Sequence, residues 1–432
     1  MNTGVSTKNA PSPSVVLPHY IYGAFSFLIA SVMLYFSADN LIGSFIGPHL
    51  LGLAHMMVLG WITMIIFGAL YQLIPVVMEV KLYSEKMSYF SFATLGIGNI
   101  LLVSSFWQTY TSPEILSITG GILIVASIFI FVANTLLTAK TSPVKTTENN
   151  FIITSIFWLL FTVLLGLFIL LNNTYRFVAL SPVELLKSHA AMGLIGWFLM
   201  LVMGVASTLL PMFFIVHNLN QKFLKASYFF SNIGLSFLVV SILFDISSWL
   251  SSLAAISIFI GIFLFVRYNY DAYKRRLRKK LDIGMKLTVS SFILLAASFI
   301  SGLFMLIAPF VFPSLITSFA LSFGVNLLFG FFTALILGQM YKTLPFIVWL
   351  AKYQDKVGKF KTPLPAELYS EKAANAHYYG FIAGISLAII GLFSKQTLFI
   401  QLSSLAFIIT ASLYLYNTLK IILHKENLKP LK

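Results

Sequence analysis

Histidine and methionine are the residues through which this chain could hold a redox metal. None of its 432 residues is cysteine. Disulfides, zinc–thiolate sites, iron–sulfur clusters, covalently attached c-type haem and cysteine-ligated dicopper centres are therefore excluded. Neutral imidazole is the common protein ligand of iron and copper, with thioether sulfur a softer alternative. The histidines are His19, His49, His55, His189, His217, His377 and His424. Which of them can do chemistry depends on the elements that carry them.

Those elements are membrane helices. The chain is 59% apolar and only 9% charged, with 42 Phe and a mean hydropathy of +0.92. A soluble domain carries roughly 25% charge. Apolar runs long enough to cross a bilayer, about 20 residues, recur twelve times, near 19–37, 50–75, 88–107, 115–138, 151–172, 187–216, 223–246, 250–270, 287–308, 315–350, 377–394 and 396–423. With both termini inside, 25 of the 28 Lys and Arg face the inner side, including the run from Lys274 to Lys280; only Arg176, Lys187 and Lys395 are outside. This positive-inside bias predicts a multi-pass protein of a bacterial cytoplasmic membrane with cytoplasmic termini. It also assigns the net charge of +15 to orientation and anionic lipid, not to nucleic acid. Residues 1–18 read as a polar cytoplasmic tail without a cleavable signal, and 19–432 as a single membrane domain.

A threefold repeat organises that domain. Gly60–Trp61 is followed by Gly68 and Pro75, Gly196–Trp197 by Gly204 and Pro211, and Gly330–Phe331 by Gly338 and Pro345, always at the same spacing. The aromatics are 136 and 134 residues apart, and each interval holds four spans. The predicted fold is all-α: twelve transmembrane helices in three pseudo-repeated four-helix units, about 19–138, 151–270 and 287–423. Aromatic, Gly and Pro lie seven residues apart, close to two helical turns. They form a stripe on the second helix of each unit, read first as close helix packing ending at a Pro kink.

Topology then sorts the histidines. His19, His217, His377 and His424 fall at inner helix ends or in a tail, where interfacial roles are ordinary. His49, His55 and His189 lie towards the outer face. An ionisable residue inside a membrane normally faces a bundle interior and has a partner, so His55 and His189 are the candidate cofactor ligands, and His49 and His189 the candidate metal ligands. Met56, Met57 and Met192 are nearby thioethers that otherwise serve as core. Glu184, Lys187 and Arg176 could orient His189 or hold a haem propionate, or be merely solvated. None of the 13 acidic residues falls mid-membrane, so the carboxylate relay of a proton pump is not visible. Ser, Thr and Tyr such as Tyr71 and Tyr341 could support a water chain or simply join helices.

Three four-helix units with inward histidines resemble subunit I of the haem–copper oxidase and nitric-oxide reductase superfamily. His55 in "GLAHMMVLGWITMIIFGALYQLIPVV" is similar to the nitric-oxide reductase segment that carries a low-spin haem ligand, through Gly68, Ala69, Tyr71, Leu73, Ile74 and Pro75. His189 in "SHAAMGLIGWFLML" resembles the copper-ligand helix in position, and also the His-Ala-x-x-Gly segments of the NnrS family of haem- and copper-containing proteins associated with nitric-oxide stress. Two departures stand out. The histidine pair of the superfamily's tenth span would fall near Phe323 and Val325, and the seventh span "QKFLKASYFFSNIG" has no histidine.

The resemblance implies a b-type haem, with copper as a second group, bound near the outer leaflet through His55 and His189. It implies a role in respiration or nitric-oxide handling. The incomplete histidine set leaves catalysis open and makes oxygen reduction at a binuclear centre unexpected. The rival readings are a non-redox accessory or assembly protein, meeting respiratory or assembly subunits through the inner loop 351–376, and a small-molecule or metal transporter.

Overall fold

The computed structural model describes residues 9–43, 47–107, 113–246, 248–277, 279–426 and 428–430. Among them are twelve helices long and apolar enough to span a bilayer: α1 Pro13–Phe36, α2 Pro48–Val77, α3 Glu85–Trp107, α4 Glu114–Lys140, α5 Thr147–Tyr175, α6 Pro182–Phe214, α7 Gln221–Leu243, α8 Trp249–Lys274, α9 Ile283–Met305, α10 Pro313–Lys356, α11 Glu371–Ser394 and α12 Thr397–Ile422. The chain is a multi-pass, all-helical membrane protein, as the apolar runs predict.

Local chemistry sets the helix starts. Proline occupies the first turn of α1, α2 and α6, where a missing N–H costs nothing and its φ is already helical. Polar side chains cap others: Thr146 accepts from Asn149 N–H at 3.2 Å, Asn220 from Lys222 N–H at 3.1 Å, and Asp282 from Met285 N–H at 3.1 Å. These caps meet backbone donors that would otherwise be unpaired at the membrane edge. α1 begins at Pro13, six residues before the apolar run does: hydropathy senses burial in lipid, whereas this helix begins at a proline whose φ is already helical.

The helices fall into two compact units. Among the described residues, one comprises those within 9–10, 73–98 and 114–280; the other comprises those within 11–72, 99–113 and 281–430. The boundary passes through α2 and α3 instead of following the repeats.

Within the first unit, small residues let helices approach to backbone contact. Gly98 and Gly234 each follow a repeat tryptophan by 37 residues. A Cβ on Gly98 would lie 2.9 Å from the Gly120 carbonyl oxygen, and one on Gly234 2.8 Å from that of Ala254. Serines and asparagines knit the same hairpins: Ser127 Oγ donates to Ser91 O at 2.6 Å, and Ser227 Oγ to Gly261 O at 2.7 Å. Between helices in lipid, such contacts and interhelical hydrogen bonds replace the hydrophobic drive available in water.

The second unit uses the same device. Ser403 Oγ donates to Gly384 O at 2.7 Å, joining α12 to α11, and Ser404 Oγ donates to Ser31 O at 2.6 Å, joining α12 to α1. At the C-terminal end of α10 the chain forms a strap. β1 (Phe360–Lys361) pairs antiparallel with β2 (Lys429–Pro430), Trp349 Nε1 donates to Pro363 O at 2.6 Å, and Lys356 pairs with Glu426. The Tyr353 hydroxyl is hydrogen-bonded to His424 Nε2 at 2.7 Å.

Candidate functional site

The second helix of every repeat departs from α-helical geometry at the same place. Met56–Thr63 in α2, Met192–Leu199 in α6 and Asn326–Phe332 in α10 are π-helical. Each stretch starts five residues before the repeat aromatic. An i→i+5 turn inserts one residue and rotates everything beyond it, and such bulges concentrate at functional positions. His55 immediately precedes the first stretch and Val325 the third, while His189 stands three residues before the second. The periodicity of the apolar pattern carries little trace of these bulges, because apart from Asn326 every residue within them is apolar, small or threonine.

His55 is half-buried, its Nδ1 is 2.8 Å from Leu51 O one turn back, and its ring lies 5.3 Å from that of Phe106. His189 Nδ1 is 3.0 Å from Thr162 O on α5. Its ring lies against Gly166, where a Cβ would approach Cε1 to 2.9 Å. A carbonyl only accepts, so in each neutral imidazole Nδ1 carries the proton and Nε2 the lone pair. A backbone carbonyl on one nitrogen is the arrangement that orients a histidine for metal ligation through the other. His49 differs. Asn40 Nδ2 donates to its Nδ1 at 2.7 Å, and its ring lies 4.8 Å from Trp107, so Nε2 presents an N–H.

His49 and His55 belong to the second unit and His189 to the first. Among the described residues no three His, Cys, Asp or Glu side chains gather as a metal-binding group. Glu184 and Lys187 pair with each other at 2.8 Å on the surface, and it is Thr162 that holds the Nδ1 of His189. Met56 Sδ accepts from Asn99 Nδ2 at 3.8 Å. Met57 and Met192 are buried core.

The repeat aromatics are packing residues. Trp61 is fully buried, stacked on Phe27 with centroids 4.9 Å apart and edge-on to Tyr414 at 5.3 Å. Trp197 packs against Phe131 and Phe331 against Phe292. The second glycine of each repeat is equally constrained: a Cβ on Gly68, Gly204 or Gly338 would lie 2.7, 2.8 or 2.6 Å from His19 Cβ, Glu148 O or Gly284 O.

The most buried histidines are the two that the sequence places at inner helix ends. His19 and His377 are 1% and 0% exposed, although hydropathy reads both as interfacial. His19 packs over Gly68 with its ring 5.7 Å from that of Tyr71; the ring of His377 is 5.4 Å from that of Tyr341. Tyr71 and Tyr341 hold the same repeat position, three residues after the second glycine. That shared position was the available sequence signal. It is a helix-to-helix relation, which position along one span does not reveal.

The donor set decides which cofactors fit. His55 and His189 each present the chemistry of a single imidazole ligand. The superfamily's two-haem and copper set does not fit. Phe323 supplies only carbon and packs near Gly302, with its backbone carbonyl accepting from Ser298; Val325 likewise supplies only carbon.

No family model matches the chain, nor does any curated protein. Among solved structures, one described as a haem–copper terminal oxidase dimer determined by cryo-electron microscopy matches with a TM-score of 0.56 and 11% identity, over 95% of this chain and 85% of that one. At that identity the likeness is one of fold, and the chain is a membrane protein with an oxidase-like architecture.

Proposed function

We propose that the protein is a divergent haem–copper oxidase-fold protein of a bacterial cytoplasmic membrane. It would hold a b-type haem, with copper as a further ligand-bound metal, through His55 and His189, and serve respiration or nitric-oxide handling. The carrying observation is the pair of imidazoles, each with Nδ1 held by a backbone carbonyl, at or just ahead of a π-helical stretch. A b-type haem supplies one-electron chemistry and a position for a diatomic gas. This chain's own contribution would be to fix the two ring orientations through Leu51 and Thr162 and to exclude water with Phe106. Oxygen reduction at a binuclear centre is not proposed, since Phe323 and Val325 cannot ligate.

Purified protein reconstituted with haem tests this directly. A Soret band that is lost in His55→Ala or His189→Ala supports the assignment. No band, or a band unaffected by both changes, refutes it. Elemental analysis of the same preparation decides copper.

A second reading rests on a different observation. Trp61, Phe27, Phe407 and Tyr414 fill the interior of the second unit, and the loop 351–376 is strapped to the chain's last described residues. These favour an accessory or assembly protein that meets other subunits through that loop. Such a protein would co-purify with respiratory subunits while showing no haem absorbance.

A further inference from the structure

Inside the inner half of the second unit, His377 is 0% exposed, and neither ring nitrogen has a hydrogen-bond partner among the described residues. His19 is different, its ring being engaged by the Val15 and Val16 backbone of its own helix. A polar ring buried with both nitrogens unmet is rare, because water or protein normally satisfies such groups. Polar side chains lie close to His377. Its ring lies 5.4 Å from that of Tyr341, and the Tyr341 hydroxyl accepts from Asn417 Nδ2 at 3.0 Å, so its own proton is directed elsewhere. Asn417 is held in place by Ser370, whose N–H donates to Oδ1 at 2.9 Å and whose carbonyl accepts from Nδ2 at 3.2 Å. Tyr369 lies on the solvent side of this group: it is partly exposed in the loop before α11, with its ring 4.7 Å from that of Tyr341.

We propose that His377 and Tyr341, oriented by Asn417, form an internal binding site for water, reached from the inner aqueous face past Tyr369. The two nitrogens point apart and need separate partners, one accepting and one donating, since a neutral imidazole offers one N–H and one lone pair. The ligand must therefore be able to play either part. It must also be small enough to lie between three packed helices. Water meets both conditions and is the usual occupant of buried polar sites of this kind. The site lies at the opposite end of the helices from His55 and is independent of any haem.

Millisecond X-ray hydroxyl-radical labelling of the full-length protein in nanodiscs, read by mass spectrometry, tests the site. Each rate is normalised to that of the same residue in unfolded protein. Radicals form from water in place, so a fully buried side chain is labelled only where water touches it. Phe381 and Phe407 are apolar and 0% exposed, as His377 is and against 5% for Tyr341, and serve as dry references. The expected result is labelling of His377 and Tyr341 at least about fivefold above both references, with Tyr341 falling to the reference level in His377→Phe. Labelling of His377 and Tyr341 at the reference level in the unaltered protein overturns the proposal, whether or not the variant folds. So does Tyr341 labelling that persists unchanged in His377→Phe, since the water would then not be held by the imidazole.

Discussion

The indole N–H of Trp61 donates to the hydroxyl of Thr333 at 3.2 Å, across 272 residues of sequence. The same hydroxyl donates to Leu328 O at 2.8 Å, inside the π-helical stretch of α10. One threonine thus ties the first repeat's aromatic to the bulge of the third. Thr333→Val should strand a buried indole donor and lower stability by about 1–3 kcal/mol. Trp61→Phe in the Thr333→Val background should then cost less than Trp61→Phe alone. Thermal unfolding of the four proteins in one detergent, taken as a double-mutant cycle, measures the coupling.

The repeat glycines should not be equivalent. A Cβ on Gly338 meets the Gly284 carbonyl oxygen at 2.6 Å, whereas one on Gly330 comes no nearer than 3.4 Å to Leu294. Backbone cannot rotate aside as a side chain can. Gly338→Ala should therefore destabilise by about 1–3 kcal/mol, the usual cost of overpacking, while Gly330→Ala should be nearly neutral. Melting temperatures of the two variants check the contrast.

Gly166 offers a test of His189 that leaves the histidine in place. Alanine there would press on Cε1 and Nδ1 of the ring, at 2.9 and 3.3 Å, and disturb the bond to Thr162. If His189 is a ligand, Gly166→Ala should weaken binding of the bound group by about tenfold, as loss of an orienting contact does. Absorbance titration measures this; unchanged affinity and line shape would argue against ligation by His189.

The strap at the C-terminal end of α10 should respond to pH. His424 lies beyond α12, and burial, followed by the adjacent charge of Lys352, holds it below the ordinary imidazole value of 6.5. Its neutral form is hydrogen-bonded to Tyr353. Protons therefore bind the undocked segment more readily than the docked one. Docking is fully supported above pH 6.5 and is lost as pH falls through the lowered value. Limited proteolysis after Leu423 should be faster at acidic than at neutral pH, and Tyr353→Phe should reduce the difference.

Much of the architecture is legible in the chain alone. Burial in lipid demands long uncharged helices, so twelve apolar runs, the distribution of 25 of 28 basic residues and the repeated Gly, aromatic and Pro determine an all-helical membrane protein built by repetition. The candidate site was visible only in part. His55 and His189 could be singled out because depth along a span can be counted. Whether their rings are oriented could not, since the carbonyl of Thr162 comes from another helix. The π-helical stretches were invisible for a related reason: they are stabilised by packing between helices, and apolar residues serve either geometry. His377 shows the limit most clearly. Sequence places it at a helix end, where water would be expected, but its ring is fully buried beside Tyr341 of α10. Hydropathy along one helix fixes depth in the membrane; only the packing of several helices decides which polar side chains are buried, which atoms they face, and what must accompany them there.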